Sequence, residues 1–179
     1  MSRKLLINLH LYAAAFFTPV LLLMAITGGL YLFGEKGHFE SETIYQGKIE
    51  SFDFESKDLE GPVNKFIVEQ KLDIQVDYLK TGKNVVYTRP FSKPHLIFQK
   101  QDNEVKVSIR TPNLTASLIE LHKGHGPSIF KTFQKITAIG LLFVLLSGLY
   151  LGLSSPNLKN KTIVVSLSGL ALFLIFAFV

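Results

Sequence analysis

The sequence predicts an α-helical membrane protein with three transmembrane helices and a small α+β extracytoplasmic domain between the first two. Apart from His10, three apolar stretches carry no charged side chain: residues 5–33, 136–153 and 162–179. At about 1.5 Å per helical residue, each is long enough to cross most of a hydrocarbon core roughly 30 Å thick. The polar chain between the first two stretches is long enough for one small folded domain.

We expect five consecutive regions. The N-terminus and the first transmembrane helix take residues 1–34, and the extracytoplasmic domain takes residues 35–120. A histidine-containing segment and the second transmembrane helix follow over residues 121–153, then a cytoplasmic loop over residues 154–161 and the third helix over residues 162–179. A cleaved signal peptide is the alternative for the first stretch. That stretch is too long for one, and no A-x-A-like cleavage site follows it.

The net charge of +5 indicates membrane topology rather than nucleic-acid binding. Between residues 35 and 135, fifteen Lys and Arg nearly balance all fourteen Asp and Glu. The remaining basic residues flank apolar stretches: Arg3, Lys4, Lys159 and Lys161. Because Lys and Arg mark cytoplasmic ends, we expect a cytoplasmic N-terminus and a domain on the outer side. No basic face with interleaved aromatic residues is present, so we expect the lipid bilayer as a partner and no nucleic acid.

The polar region predicts a helix followed by about four antiparallel strands. Ser56 is the predicted N-cap of a helix that runs to about Lys71, with Gly61 and Pro62 as the alternative start. Alternating apolar residues and tight turns predict a meander with one face packed on the helix, formed by residues 74–79, 84–88, 95–99 and 105–109. A further short strand is predicted around residues 43–46, and a short helix after Asn113.

Three histidines near the predicted membrane faces are the candidate ligands. His10 lies near the start of the first stretch, where an ionisable side chain suggests a function and a neutral imidazole can ligate haem iron. The alternative is an interfacial histidine that bonds a backbone carbonyl or a lipid headgroup. His122 and His125 precede the second stretch, and the glycines and the proline around His125 predict that one is helical and one lies in a loop. The alternative for that pair is a polar loop at the membrane surface.

The sequence lacks the residues that several kinds of chemistry require. The chain has no cysteine, which excludes disulfides, c-type haem attachment, iron–sulfur clusters and a cysteine nucleophile. It has no G-x-S-x-G, Walker, Rossmann or H-E-x-x-H motif. No apolar stretch contains Asp, Glu, Lys or Arg, which argues against an ion pump or a proton-coupled transporter. We expect no metal site, and we expect His38 and His95 to be ordinary surface residues.

A small-residue motif recurs in all three apolar stretches. Its copies are Thr27-Gly28-Gly29-Leu30-Tyr31-Leu32, Ser147-Gly148-Leu149-Tyr150-Leu151 and Ser168-Gly169-Leu170. Small residues let helix backbones approach closely, so we interpret the motif as a set of helix–helix contacts.

Two Leu-His elements and two small-residue elements carry a family resemblance: Asn8-Leu9-His10, Ile26-Thr27-Gly28, Leu121-His122-Lys123-Gly124 and Leu146-Ser147-Gly148. With the helix-and-strand region between them, they resemble the PepSY-associated transmembrane family, and that region resembles a PepSY domain. The resemblance covers nearly the whole chain. It implies a bacterial inner-membrane protein with a periplasmic domain. Because larger members include haem-containing ferric-siderophore reductases, it also implies haem b ligands at His10 and His122.

The chain departs from the larger members of that family. It has three predicted spans rather than four or more, no tryptophan, and Leu11-Tyr12-Ala13 where an aromatic-glycine run is usual. His10 lies near the predicted inner face of the membrane and His122 near the outer face. About 17 helical residues, or roughly 25 Å, separate His10 from Thr27 at the outer end of the same span. A bis-histidine site then requires His122 with His125, a homodimer or a partner membrane subunit.

Two functions are compatible with these residues. The first is membrane electron transfer linked to haem, as in a ferric or siderophore reductase. The alternative is a non-catalytic, membrane-tethered accessory module that binds a partner protein or a periplasmic protease, which the missing fourth span and the incomplete ligand set favour. Whether the chain is itself an enzyme stays open at this point.

Overall fold

A computed structural model describes residues 2–49, 52–56, 58–102 and 104–179. These residues form five α-helices and one five-stranded antiparallel sheet, in agreement with the predicted combination of long apolar helices and an α+β part. The helices are α1 (Arg3–Leu32), α2 (Glu60–Glu69), α3 (Leu114–His122), α4 (Ser128–Leu153) and α5 (Lys159–Phe178). The strands are β1 (Phe39–Gly47), β2 (Tyr78–Gly82), β3 (Val85–Arg89), β4 (His95–Gln101) and β5 (Glu104–Pro112).

Three helices, α1, α4 and α5, are long and apolar enough to cross a membrane. Each covers all or nearly all of one of the three predicted apolar stretches. α4 begins at Ser128, well before residue 136, because the basic residues Lys131 and Lys135 continue the helix instead of ending it. The surfaces of all three helices expose many large apolar side chains, which is unfavourable in water and favourable in lipid.

The chain divides into two compact units. The first unit comprises Met1–Leu21 and Lys135–Val179, and therefore holds most of the three long helices. The second unit comprises Leu22–Gln134 and holds the sheet, α2, α3, the end of α1 and the start of α4.

The sheet has the strand order β1-β5-β4-β3-β2. Strands β2 to β5 form the predicted meander, and β1 adds a fifth strand beside β5 that is longer than the strand predicted at residues 43–46. The strand predicted at residues 74–79 begins only at Tyr78, which pairs with Arg89. The next residue along β3 is Pro90, which has no N–H for the ladder, so pairing cannot extend further back.

One face of the sheet packs against α2 in an apolar core. The core contains Val63 and Phe66 from the helix and Phe98 from β4. The Phe98 ring stacks on Phe52 at a centroid distance of 4.8 Å and meets Phe66 edge-on at 5.4 Å. Because α2 comes from a segment before the meander, this core ties the first half of the domain to the sheet.

The predicted N-cap at Ser56 is wrong. α2 begins at Glu60, next to the alternative start that the sequence offered, and Leu59 occupies the cap position without a side-chain hydrogen bond. The Ser56 hydroxyl instead accepts from the backbone N–H of Asp58 at 3.2 Å, which closes a turn before the helix. Local hydrogen bonds of this kind compete with helix capping for a serine.

α3 begins where the sequence predicted. Asn113 is extended, and its Oδ1 accepts from the N–H of Ala116 at 2.9 Å, which is the geometry of an N-cap. Ala116, Ile119 and Glu120 are the buried residues of this helix. α3 therefore ends at His122 with its orientation fixed by its packing.

Two valines on α2 test the predicted core. Val63 is fully buried and Val68 is 76% exposed on the same helix. Val63→Ala should lower the free energy of unfolding by about 2 kcal/mol, since it removes two buried methyl groups and leaves a cavity. The measurement is denaturant unfolding of the full chain in a mild detergent, followed by circular dichroism.

Val68→Ala is the matched control and should change the free energy of unfolding by less than about 0.5 kcal/mol. Equal effects of the two substitutions would contradict the packing of α2 described above.

Candidate functional site

His122 lies against the end of α1. Its Nδ1 is 2.9 Å from the Oγ1 of Thr27, which is buried. Its Cε1 lies 3.2 Å from the position that a Cβ on Gly28 would occupy. The ring can therefore approach the helix because Gly28 has no side chain.

His10 has the same environment in the first unit. Its Nδ1 is 2.9 Å from the Oγ of Ser147 on α4, and its Cε1 is 3.1 Å from the position of a Cβ on Gly148. Each histidine thus sits on a hydroxyl residue followed by glycine. We call these two places, Thr27–Gly28 and Ser147–Gly148, the hydroxyl–glycine notches.

The hydroxyl groups determine which ring nitrogen carries the proton. The Oγ1 of Thr27 donates to the carbonyl of Leu23 at 2.7 Å, and the Oγ of Ser147 donates to the carbonyl of Val144 at 3.2 Å. A hydroxyl has one proton, so while each donates it to that carbonyl it can only accept from the histidine. The neutral form of each ring with this bond carries its proton on Nδ1 and keeps the lone pair of Nε2 available for a ligand.

This arrangement is typical of histidines that bind a metal. A ligating histidine commonly donates its other ring N–H to a neighbouring acceptor, which fixes the tautomer and orients the ring. Here Thr27 and Ser147 supply that acceptor from the interior of long helices. The notches therefore prepare His122 and His10 to act through Nε2.

A groove of about 440 Å³ adjoins His122. Its size is typical of a site for a small organic ligand or cofactor. It is lined by Thr27, Gly28, Tyr31, Leu32, Ile119, His122 and Lys123. The lining is largely apolar, and its exposed cation is Lys123 at one end of α3.

His125 has a different set of partners from His122. It lies in the linker between α3 and α4, so the prediction of one helical and one loop histidine is confirmed. Its Nδ1 is 2.6 Å from the Oε2 of Glu120, and its carbonyl accepts from the N–H of Phe91 at 2.9 Å. His125 is not among the residues that line the groove. The described contacts therefore tie His125 to the domain and do not place it opposite His122.

Glu120 binds two neighbouring side chains, Lys123 and His125. Its Oε1 accepts from the Nζ of Lys123 at 2.6 Å, and its Oε2 faces His125. Burial alone would raise the pKa of Glu120, but the hydrogen bonds from Lys123 and His125 outweigh it and hold this pKa below its usual value. Glu120 is therefore ionised at neutral pH.

Burial lowers the pKa of His125 below its ordinary value, and the positive charge of Arg89 adds to this effect. The hydrogen bond with Glu120 opposes the shift without cancelling it. At neutral pH His125 is therefore the neutral partner of the pair, and its Nδ1–H donates to the carboxylate.

His95 is not the surface residue that the sequence predicted. It is 2% exposed, its Nδ1 bonds the carbonyl of Lys93 at 3.0 Å, and its ring stacks on Phe91 at 4.5 Å. Burial lowers its pKa, with smaller contributions from Arg110 and Arg89 in the same direction. β4 is the central strand of the sheet, so even its first residue is covered.

The sequence reasoning missed the role of the small-residue motif. Two of its three copies receive a histidine ring, where helix–helix contact was predicted. The available signal was the number of Leu-His elements, which equals the number of filled notches. At the third copy, Ser168 donates to the carbonyl of Val164 at 2.9 Å, and no described atom lies within 4 Å of a Cβ built on Gly169.

The part of the chain that is described contains no group of three or more His, Cys, Asp or Glu placed to hold a metal ion. In comparisons with known proteins, no family model, no curated protein and no solved structure matches the chain.

The pKa directions predict acid sensitivity of the second unit. His95 and His125 both have a pKa below the ordinary value of about 6.5 in the folded state, so the unfolded chain binds more protons. Their contribution to stability is complete above pH 6.5 and declines as the pH falls through 6.5 towards the lowered pKa values. Thermal unfolding of the full chain between pH 8 and pH 5 should show a falling midpoint.

His125→Gln is the matched variant, because glutamine can still donate to Glu120 but does not titrate. Its midpoint should fall less steeply over the same range. A wild-type midpoint that stays constant or rises on acidification would contradict the assigned protonation states.

Proposed function

We propose that the chain is an inner-membrane protein that binds haem b through His10 and His122 and takes part in electron transfer across or at the membrane. The observation that carries the proposal is the pair of hydroxyl–glycine notches. In each, a helix-bound hydroxyl takes the Nδ1–H of a histidine and leaves Nε2 free. Haem, when bound, would supply a one-electron carrier that the side chains of this protein lack.

The residues fit such a group. Each histidine has the tautomer that an axial ligand needs, and each is oriented by a neighbour. The groove beside His122 supplies a largely apolar surface of suitable volume. The chain's own contribution is to hold two imidazoles in place and to keep a proton off each Nε2.

The resemblance to the PepSY-associated transmembrane family also supports this proposal, and it supports a link to ferric or siderophore reduction. In the proposed topology α1, α4 and α5 cross the bacterial inner membrane, the N-terminus is cytoplasmic and residues 35–120 are periplasmic. Support for this orientation comes from Arg3 and Lys4 before the first span and Lys159 and Lys161 before the third.

The proposal includes a partner. His125 is held by Glu120, so a further residue that would hold haem together with His122 would come from a second copy of the chain or from a partner membrane subunit. α5 has no fully buried residue among those described, so most of its surface is open to lipid or another subunit. The same observation favours the second candidate function, a non-catalytic accessory module that acts by binding a partner protein.

The test of haem binding is the reduced-minus-oxidised absorption spectrum of membranes that contain the protein. Wild type should show a b-type α band, and His10→Ala and His122→Ala should each reduce it at least about twofold, since loss of an axial ligand removes a haem or lowers its affinity. Absence of the band in wild type, with candidate partners co-expressed, would reject haem binding and leave the accessory function.

Glycine substitutions test the notches without touching a histidine. A Cβ on Gly28 would come 3.2 Å from the His122 ring, whereas nothing lies within 4 Å of one on Gly29. Gly28→Ala should therefore shift the ring and reduce the haem band or move its potential, while Gly29→Ala should leave both unchanged. Spectra and redox titrations of the two variants make the comparison.

The first unit offers a parallel pair, Gly148→Ala against Gly169→Ala, because only Gly148 adjoins a histidine. If all four alanine variants had the wild-type spectrum and potential, the notches would have no part in cofactor binding.

A further inference from the structure

One buried cation, Arg89, has no ion-pair partner among the residues that the structure describes. Arg89 ends β3 and is 2% exposed, and its Nε and Nη1 have no hydrogen-bond partner among the described residues. The face of its guanidinium group lies over the Phe91 ring, with Cζ 3.5 Å from the ring centroid. A ring face attracts the charge but leaves the N–H groups at the edge unsatisfied.

Charged and titratable groups face Arg89 from several elements of the domain. From α3 and the linker, Glu120 faces it, but both carboxylate oxygens already bind Lys123 and His125. From β4 and β5, His95 stacks on Phe91 and Arg110 lies 4.6 Å from the Phe39 ring. From β2, Tyr78 is the register partner of Arg89.

The carboxylate closest to Arg89 in the register is also occupied. Asp77 donates its backbone N–H to the carbonyl of Arg89 at 2.8 Å, but its Oδ2 accepts from the N–H of Ser128 at 2.7 Å. The Asp77 carboxylate is therefore bonded to the first turn of α4 and not to the guanidinium group of Arg89. A buried charge without a counter-ion or hydrogen bonds is strongly unfavourable, so the site favours an added anion over a neutral water.

The position of this cluster suggests the kind of anion. Tyr78, paired with Arg89, has its hydroxyl bonded to the Nζ of Lys131 in the first turns of α4. Ser128 and Lys131 thus bring the start of a membrane-length helix to the strand beside Arg89. At the end of a spanning helix, basic residues commonly bind the phosphate of a lipid headgroup.

We propose that Arg89 is the centre of a phosphate-binding site, assisted by Lys131 at the start of α4. The ligand is a phosphate oxyanion, from a phospholipid headgroup or free in solution, which would accept hydrogen bonds from the guanidinium N–H groups. The linker next to Arg89 is held by the hydrogen bond from the Phe91 N–H to the His125 carbonyl at 2.9 Å. The site does not depend on haem, and only its lipid source depends on the proposed spans.

The test uses the full chain and its thermal unfolding midpoint. In a neutral detergent, inorganic phosphate is titrated against chloride at constant ionic strength. In a second arm, nanodiscs of phosphatidylglycerol are compared with nanodiscs of phosphatidylcholine. We expect a saturable rise of about 3 °C or more, because a ligand that binds the folded state stabilises it. A rise with free phosphate identifies a soluble anion, and a rise confined to phosphatidylglycerol identifies the headgroup.

Two methionine substitutions complete the test. Arg89→Met should abolish the rise and leave the anion-free midpoint equal to or above that of wild type, since it removes an unpaired buried charge. Lys80→Met, on the exposed part of β2, should keep the full rise. If Arg89→Met does not fold, Arg89→Lys replaces it and should raise the half-saturating phosphate concentration at least about threefold. No rise in either arm, or a rise that the Arg89 variants retain unchanged, would overturn the proposal.

Discussion

The structure of the histidine sites depends on one constraint, the single proton of a hydroxyl group. In a long apolar helix a Thr or Ser hydroxyl satisfies itself by donating to a carbonyl of the preceding turn, as Thr27 and Ser147 do. Only its lone pairs then remain, so a histidine that meets it must donate. This hydrogen-bond balance fixes the tautomer, orients the ring and frees Nε2. Glycine at the next position lets the ring approach closely enough for the bond to form.

In the second unit, hydrogen bonds connect the His122 site to the folded domain. α3 ends at His122, and its preceding turn contributes Glu120 to a charged cluster beneath the sheet. Glu120 holds His125, and the His125 carbonyl holds the loop after β3 through Phe91. The position of His122 is therefore connected to the sheet by a short series of hydrogen bonds. A change in charge in this cluster would act on the end of α3 that carries the proposed ligand.

The sequence predicted the class of fold because its signals were local. Apolar stretches, strand alternation and the Asn113 cap each depend on neighbouring residues, and the structure has the corresponding elements. The Ser56 cap was wrong since a competing turn to Asp58 used the same hydroxyl. Strand β2 began later than predicted because its limit is set by Pro90 on the neighbouring strand, which no local pattern shows.

The histidine environments were harder to predict because they join residues far apart in the chain. His122 contacts Thr27, and the whole sequence of the domain separates the two residues. His95 is buried because it lies on a central strand with elements on both sides. The repeated motif contained the information, but small residues in apolar helices more often indicate helix packing. Only the side-chain contacts distinguish a small-residue motif that packs against another helix from one that binds a histidine ring.

The most direct measurement of this account is the protonation state of the two ring nitrogens. Nuclear magnetic resonance of the haem-free chain, with ¹⁵N-labelled histidine in detergent at pH 8, reports which nitrogen carries the proton. The account predicts Nδ1–H for both His10 and His122, with Thr27→Val changing the His122 signal alone. Protonation of both rings at Nε2 would contradict it.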